Sequence, residues 1–424
     1  MVYSESAWDR YPDHVITLRH DGIRARAWFG DLLLAESTNA TRLEESKHVD
    51  RLYFPVDDVN WRLFTPTEHT TTCPFKGQAT YWSLTAVDPI EENVVWSYAT
   101  PSPEVGGIEG HVAFYQERVR VEIEEQWPDG SVVAATFPVW GDEADLVHLI
   151  DVEPAGDGRY VGAPYRDTTR NVVEAGQMLG QGIVAVSKAL PRQHVTSASM
   201  YFPKAAQFDA PLDLAVDVVR EGRTFSTAEV RVSQAGSLRS IGLYLLDAGA
   251  ADVIGGQVAM PDVAGPEDAD PLGMLVRGRE MRVVGAAYGG DPDDVGPPEM
   301  FVWVRFRDAP AEQYLHQALL SQSTAHWMIA AAMRPHPGIS QAQAHVTLST
   351  GPMGVSTAFH DDVDVTQWLL YENRALHAGR GLTHGEGHVF TRDGRLVATY
   401  TVHAMLREIL NPRDAAGHDP STSM

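Results

Sequence analysis

The sequence predicts a multidomain chain: an N-terminal all-β domain, then an α+β part in which one long helix and a set of antiparallel strands occur twice in succession. Three observations predict it. The 424 residues exceed what one hydrophobic core usually supports. Residues 15–122 are dense in short β-branched and aromatic runs broken by Asp, Gly and Pro, the texture of an all-β unit. Beyond about residue 142 an apolar helical stretch followed by strand-like runs appears, and then appears again.

In chain order, the N-terminal runs are VITLRH, RARAWFG, ATYWSLT, NVVWSYAT and VAFYQERVRVEIEE, each short and strand-like. WPDGSVV at 127–133 carries an Asp-Gly turn signal, and VWGDEAD at 139–145 reads as a junction. Next comes the stretch 172–190, where Val173, Gln177, Met178, Gln181 and Val184 have the spacing of a buried helix. Strand candidates follow at 195–203, 212–220, 225–234 and 239–247. Pro, Gly and Asp mark 264–273 and 288–300 as loops. The second cycle opens with a predicted helix over 311–333 and continues with strands at 344–349, 355–360, 366–376, 384–391 and 395–405. The resulting boundaries are 1–125 for the β-rich domain, 126–142 for a linker, 143–262 for the first repeat, 263–300 for a loop-rich connection that begins the second, 301–410 for the second repeat and 411–424 for a disordered tail.

Composition narrows the partners. With 57 acidic against 33 basic residues the formal charge is −24, which opposes binding to nucleic acid and to anionic membranes. Cys73 is the single cysteine, so one chain can form neither an internal disulfide nor a cysteine-based metal cluster. The start, MVYSESAWDRYPDH, has no basic n-region followed by an apolar run, and no stretch reaches the roughly 20 apolar residues of a transmembrane helix. A cytoplasmic protein without membrane insertion is the expectation.

Some chemistry is set aside. His316 and His326, ten residues apart on the predicted helix, would be rotated by about 280° and could not share a metal. His360-Asp361-Asp362 begins a turn, where Asp is common anyway. Neither a phosphate-binding loop nor a Gly-x-Ser-x-Gly nucleophile motif occurs. No metal or redox cofactor is expected.

The N-terminal part resembles the family known as domain of unknown function 427 over most of residues 14–122. The landmarks are LLLAES (32–37), LYFPVDDV (52–59), TTCPFKGQATYWS (71–83), VVWSYATPSP (94–103) and GHVAFY (110–115). That resemblance implies a compact β fold and no particular activity. Asp57, Asp58, Lys76, Tyr53 and Tyr81 are candidates for a small-ligand cleft. Cys73 beside Lys76 is open to two readings: a thiol activated by a nearby cation, or a small buried cysteine before a proline turn.

From about 143 to 410 the chain resembles the acyl-CoA thioesterase II family, in GQMLGQ (176–181), GRTFST (222–227), WLLYE (368–372) and GRGLTHGEGHVFTRDGRLVATY (379–400). The resemblance implies a double hotdog, two long helices each wrapped by an antiparallel sheet, with acyl-CoA at the seam and a homo-oligomer as the assembly. It also implies an aspartate, a threonine and a glutamine in the second half holding the attacking water. Here Gly354 stands at the aspartate position and Val402, beside His403, at the glutamine position. The threonine falls in the shortened segment around Ala375 to His377.

The water-holding triad is therefore absent, and Glu174, at the start of the first helix, becomes the candidate base or nucleophile. A carboxylate there is equally the residue expected to cap free helix N–H groups. Gln177 is a candidate to position water or thioester, or else a seam-bonding amide. His377 is a candidate proton donor, since imidazole titrates near neutrality, or else a surface histidine. A composite site would set Glu174 and Gln177 against Ser356, Thr357, His377 and His403. The opposite seam would combine His316 and Gln317 with Ser197, Ser199, Thr227 and Gln234. The expected reaction is hydrolysis of an acyl-CoA thioester; the alternative is an acyl-CoA binding or sensing protein without hydrolysis.

Overall fold

In the computed structural model the described residues are 7–409, apart from 12–13, 21, 46–49, 117, 128–129, 138–142, 164–171, 209, 273–277, 287, 289–290 and 346. The chain divides near residue 140 into two units. The first opens with a short helix, α1 (Ala7–Arg10), and continues in strands: β1 (Ile16–Arg19), β2 (Ala25–Phe29), β3 (Leu32–Ser37), β4 (Thr41–Glu45), β5 (Arg51–Pro55), β6 (Phe64–Cys73), β7 (Gly77–Leu84), β8 (Glu91–Tyr98), β9 (His111–Phe114), β10 (Arg120–Gln126) and β11 (Val132–Phe137).

Two sheets result, ordered β1-β4-β5-β9-β8-β7-β6 and β11-β10-β2-β3. Because successive side chains alternate between faces, Leu52, Phe54, Val95, Phe114, Val121, Ile123 and Phe137 share one core. Tyr53, Tyr81, Trp96 and Tyr98 pack with Leu43, Val105 and Ile108 in another.

One boundary differs from expectation. The stretch 126–142, expected as a linker, contains β11, which pairs with β10 from Val121↔Phe137 to Gln126↔Val132. At the reversal, Trp127 N bonds the Ser131 carbonyl and Gly130 N the Trp127 carbonyl, both at 2.9 Å, with Gly130 at φ 83°, a backbone region that suits glycine. The expected tail 411–424 lies outside the described residues.

The second unit contains α2 (Glu143–Ile150), β12 (Val152–Gly156), β13 (Arg159–Gly162), α3 (Ala175–Ala189), β14 (His194–Tyr201), β15 (Leu212–Arg220), β16 (Phe225–Gln234) and β17 (Ser237–Asp247). Its second half contains β18 (Asp270–Pro271), β19 (Arg279–Val283), β20 (Glu299–Phe306), α4 (Gln313–Gln322), α5 (Trp327–Met333), β21 (Leu348–Phe359), β22 (Leu369–Gly379), β23 (Leu382–Thr391) and β24 (Leu396–Glu408).

All thirteen strands join one sheet, ordered β12-β13-β15-β16-β17-β14-β21-β24-β23-β22-β20-β19-β18. The run β15-β16-β17-β14 is repeated in reverse as β22-β23-β24-β21, so the halves meet at β14 and β21, in register from Ser197↔Ala358 to Tyr201↔Gly354. This is the double hotdog arrangement.

Helix α3 is buried from Gly176 through Ser187. Its glycines explain how it fits. A Cβ on Gly176 would lie 2.5 Å from the Gln322 carbonyl oxygen, and one on Gly180 would lie 3.1 Å from that of Ala318. The two helices therefore run antiparallel in backbone contact, closer than side chains would permit.

The second helix is not continuous over 311–333. It breaks between α4 and α5, where the Ser323 and Thr324 amides make tight bonds to Leu320 and Ser321 oxygens, both at 3.1 Å. Ser321 Oγ donates to the Gln317 carbonyl and Thr324 Oγ1 to that of Ser321, each at 2.8 Å. Such hydroxyl bonds compete with the helical ladder. Conversely, the strands expected at 344–349 and 355–360 are one long β21, with a bulge between Pro352 and Gly354 that accommodates a proline lacking its N–H.

Candidate functional site

Glu174 occupies the N-cap position of α3 in extended conformation (φ −65°, ψ 143°), yet its carboxylate makes no capping hydrogen bond. It accepts one from Nε2 of Gln322 at 3.0 Å, and Nε2 of His326 lies 3.9 Å from the same oxygen. Oε1 of Gln322 accepts from Nη1 of Arg279 at 2.8 Å. A first-half carboxylate thus faces an amide at the end of α4, an imidazole in the α4–α5 break and, one step back, a guanidinium on β19.

Both side chains are partly exposed, Glu174 by 43% and His326 by 38%. His326 and Tyr288 both pack edge-on against the Trp327 ring, with centroids 5.8 and 5.6 Å away. The first α3 amides, at Ala175 to Gln177, precede the first intrahelical bond, made by Met178 N to the Glu174 carbonyl at 3.2 Å. Such amides, together with the helix dipole, favour negative charge at this end.

Gln177 is buried and donates to the Ala163 carbonyl at 3.0 Å, while Gln181 donates to the same oxygen and to the Leu149 carbonyl. Both amides therefore tie α3 to the chain around β13. The Gln177 bond therefore lies within the first half and does not cross the seam, as a seam-bonding amide would.

The sheet candidates are not gathered at the start of α3. Strand alternation puts Thr357, buried, on the core face opposite Ala198, whereas Ser199 and Ser356 pair with each other on the outer face, next to Ser197. His377 and His403 are exposed on that outer face. His377 pairs with His384, and His384 pairs with His403 and stacks on it with ring centroids 4.1 Å apart. Burial, and then the adjacent His384, hold the His403 pKa below its ordinary value.

The expected grouping of Glu174 with Ser356, His377 and His403 is thus corrected. A residue's face is fixed by register parity, and these three have the outward parity. Gln234 is also no ligand-facing residue, because its amide nitrogen donates to the Gln207 and Ala210 carbonyls and its oxygen accepts from Gln207 N. In the opposite seam, His316 holds the Pro310 carbonyl and Val365 N, and Gln317 holds the Val195 carbonyl.

The positions where the resemblance implied aspartate and glutamine are filled by other groups. A Cβ on Gly354 would lie 2.8 Å from the Tyr201 ring, and Val402 is fully buried. Gln322, His326 and Arg279 were not among the sequence candidates for this site. Their meeting depends on the helix break and on a β19–α4 contact, and neither has a spacing signature.

In the N-terminal unit, Lys76 is buried and pairs with Glu45, which also accepts from His14 Nε2 at 3.1 Å. Lys76 therefore has a carboxylate partner of its own. Cys73 is half-buried at the end of β6. Tyr81 bonds Thr71 Oγ1 at 2.7 Å, and Asp57 is exposed in a 3-10 turn.

Comparison with known proteins agrees with this layout. Residues 164–246 match the family model described as acyl-CoA thioesterase N-terminal domain, residues 257–406 the acyl-CoA thioesterase C-terminal domain, and residues 17–125 domain of unknown function DUF427. Acyl-coenzyme A thioesterase 8 of Mus musculus is 26% identical over 291 residues, which cover 62% of this chain and 88% of that protein.

Among solved structures, the tesB protein of Mycobacterium avium subs paratuberculosis superposes with a TM-score of 0.53 at 22% identity, covering 62% of this chain and 99% of its own. A protein of unknown function with a hot dog fold from Alicyclobacillus acidocaldarius gives 0.50 at 17%, covering 62% and 98%. Among the described residues, no helix is long and apolar enough to cross a membrane.

Proposed function

We propose, from a chain whose C-terminal two thirds are acyl-CoA thioesterase II-like, that it hydrolyses a CoA thioester at the start of α3 with Glu174 as the general base. Glu174 takes a proton from water as the oxygen attacks the thioester carbonyl. The developing oxyanion is stabilised by first-turn amides of α3 and the positive end of its dipole. Collapse breaks the C–S bond, and the thiolate leaves as free CoA after receiving a proton, for which His326 is the nearest imidazole.

The observation that carries this reading is the direction of the Glu174 carboxylate, which crosses the seam to Gln322 and His326 and leaves its own helix uncapped. A cap would support stability alone; a carboxylate held across a seam and partly open to water supports chemistry.

A second reading has its own support. Tyr201 covers Gly354 and Val402 lies in the core, which fits a protein that keeps acyl-CoA binding and has lost turnover. Release of free CoA from acyl-CoA esters by the purified full chain separates the two. The hydrolase releases CoA catalytically, whereas binding in calorimetry with no release contradicts it. Residence in the cytoplasm and self-association belong to the same proposal. Exposed Tyr201, Leu243 and Leu245 on the outer sheet face support self-association.

A further inference from the structure

We infer that the site takes short acyl groups and that Tyr371 sets the limit, an inference that rests on the CoA-ester reading above. An acyl chain entering beside Glu174 has two routes inward, between the helices or between helix and sheet. The first is closed. Gly176 and Gly180 bring the α3 backbone onto the Gln322 and Ala318 carbonyls, leaving no width for a polymethylene chain, whose carbons need about 3.5–4 Å from each wall.

The second route is closed by phenol rings. Under α4, Tyr371 is 1% exposed and its hydroxyl donates to the Leu320 carbonyl at 3.2 Å. That bond sets the ring against the last turn of α4, the turn that carries Gln322. Under α3, Tyr244 is fully buried, and its hydroxyl abuts Gly182 and reaches the Leu179 carbonyl at 3.4 Å. Met328, also fully buried, presses on Gly385 and fills the space below α5. The anchored hydroxyls hold both rings in place, and swinging Tyr371 aside would strand a buried donor and acceptor.

The deciding experiment measures kcat/KM for acetyl-, butyryl-, octanoyl- and palmitoyl-CoA with wild type, Tyr371→Ala, Tyr371→Leu and Tyr371→Phe. The expected wild-type order favours acetyl and butyryl over palmitoyl by at least on the order of 100-fold, since even a single methylene that fails to fit is worth roughly tenfold or more. Tyr371→Ala and Tyr371→Leu shift the ratio toward octanoyl by about tenfold, and Tyr371→Phe keeps the wild-type order. A wild type that prefers palmitoyl-CoA overturns the inference and leaves hydrolysis standing. If no ester releases CoA, hydrolysis fails instead, and calorimetric binding of the same esters reads the length limit. Tighter binding of butyryl- than palmitoyl-CoA supports it, and the reverse order overturns it.

Discussion

Glu174 and Glu372 show how environment separates two carboxylates of one unit. Glu174 is partly open and held by Gln322. Glu372 is buried between His388, whose Nδ1 is 2.9 Å away, and Arg374, whose Nε is 2.7 Å away. Burial pushes the Glu372 pKa up, but the His388 and Arg374 interactions outweigh it and hold the carboxyl below its ordinary value. A pKa lowered by folding means that the ion pair contributes its full stability above the unfolded pKa of about 4.3 and loses it as pH falls through the folded value. Glu372→Gln should therefore lower the urea midpoint at neutral pH, with the gap to wild type shrinking as pH falls below the unfolded value. For Gln322→Ala, which frees the Glu174 carboxylate, kcat should fall about 10- to 100-fold with KM little changed, the worth of one hydrogen bond to a charged group. Steady-state kinetics reads it directly.

At the scale of elements, the contact between α3 and α4 fixes the site. Gly176→Ala would add helix propensity worth about 1 kcal/mol, but its Cβ would meet three Gln322 backbone atoms within 2.9 Å. Overpacking of this kind costs about 1–3 kcal/mol, so the net expectation is a lower Tm, read by thermal melting, with Gln322 displaced from Glu174. The same elements show what was legible in the sequence. The α3 stretch and strands β14 to β17 could be read because their apolar periods are uninterrupted. Glu174 could be singled out because a carboxylate at a helix start is either a cap or a reactive group. The α4–α5 break was not legible, since Ser and Thr are ordinary in a helix until their hydroxyls bond back to the chain. Nor was the outward placement of His377 and His403, because a shift of one residue in register exchanges the two faces. Arg279 reaches Gln322 across 43 residues of sequence, a contact that no local pattern encodes.

Considered whole, the chain joins two units whose polar interiors are held by different means. In the N-terminal unit, Glu45 neutralises buried Lys76 and accepts from His14. Removing one partner of a buried pair leaves the other charge uncompensated, at about 3–5 kcal/mol. Glu45→Ala should lower the unfolding transition of that unit by this amount, checked by urea denaturation, while CoA-ester turnover in the folded protein is unchanged. In the larger unit, the pseudo-repeat places a helix start from one half against a helix break from the other, so neither half alone contains the Glu174, Gln322 and His326 group. The most direct measurement of the central claim compares free CoA release and acyl-CoA binding for wild type and Glu174→Gln. The expected result is a fall in kcat on the order of 10²- to 10⁴-fold with binding retained. A Glu174→Gln enzyme that turns over at the wild-type rate would contradict it.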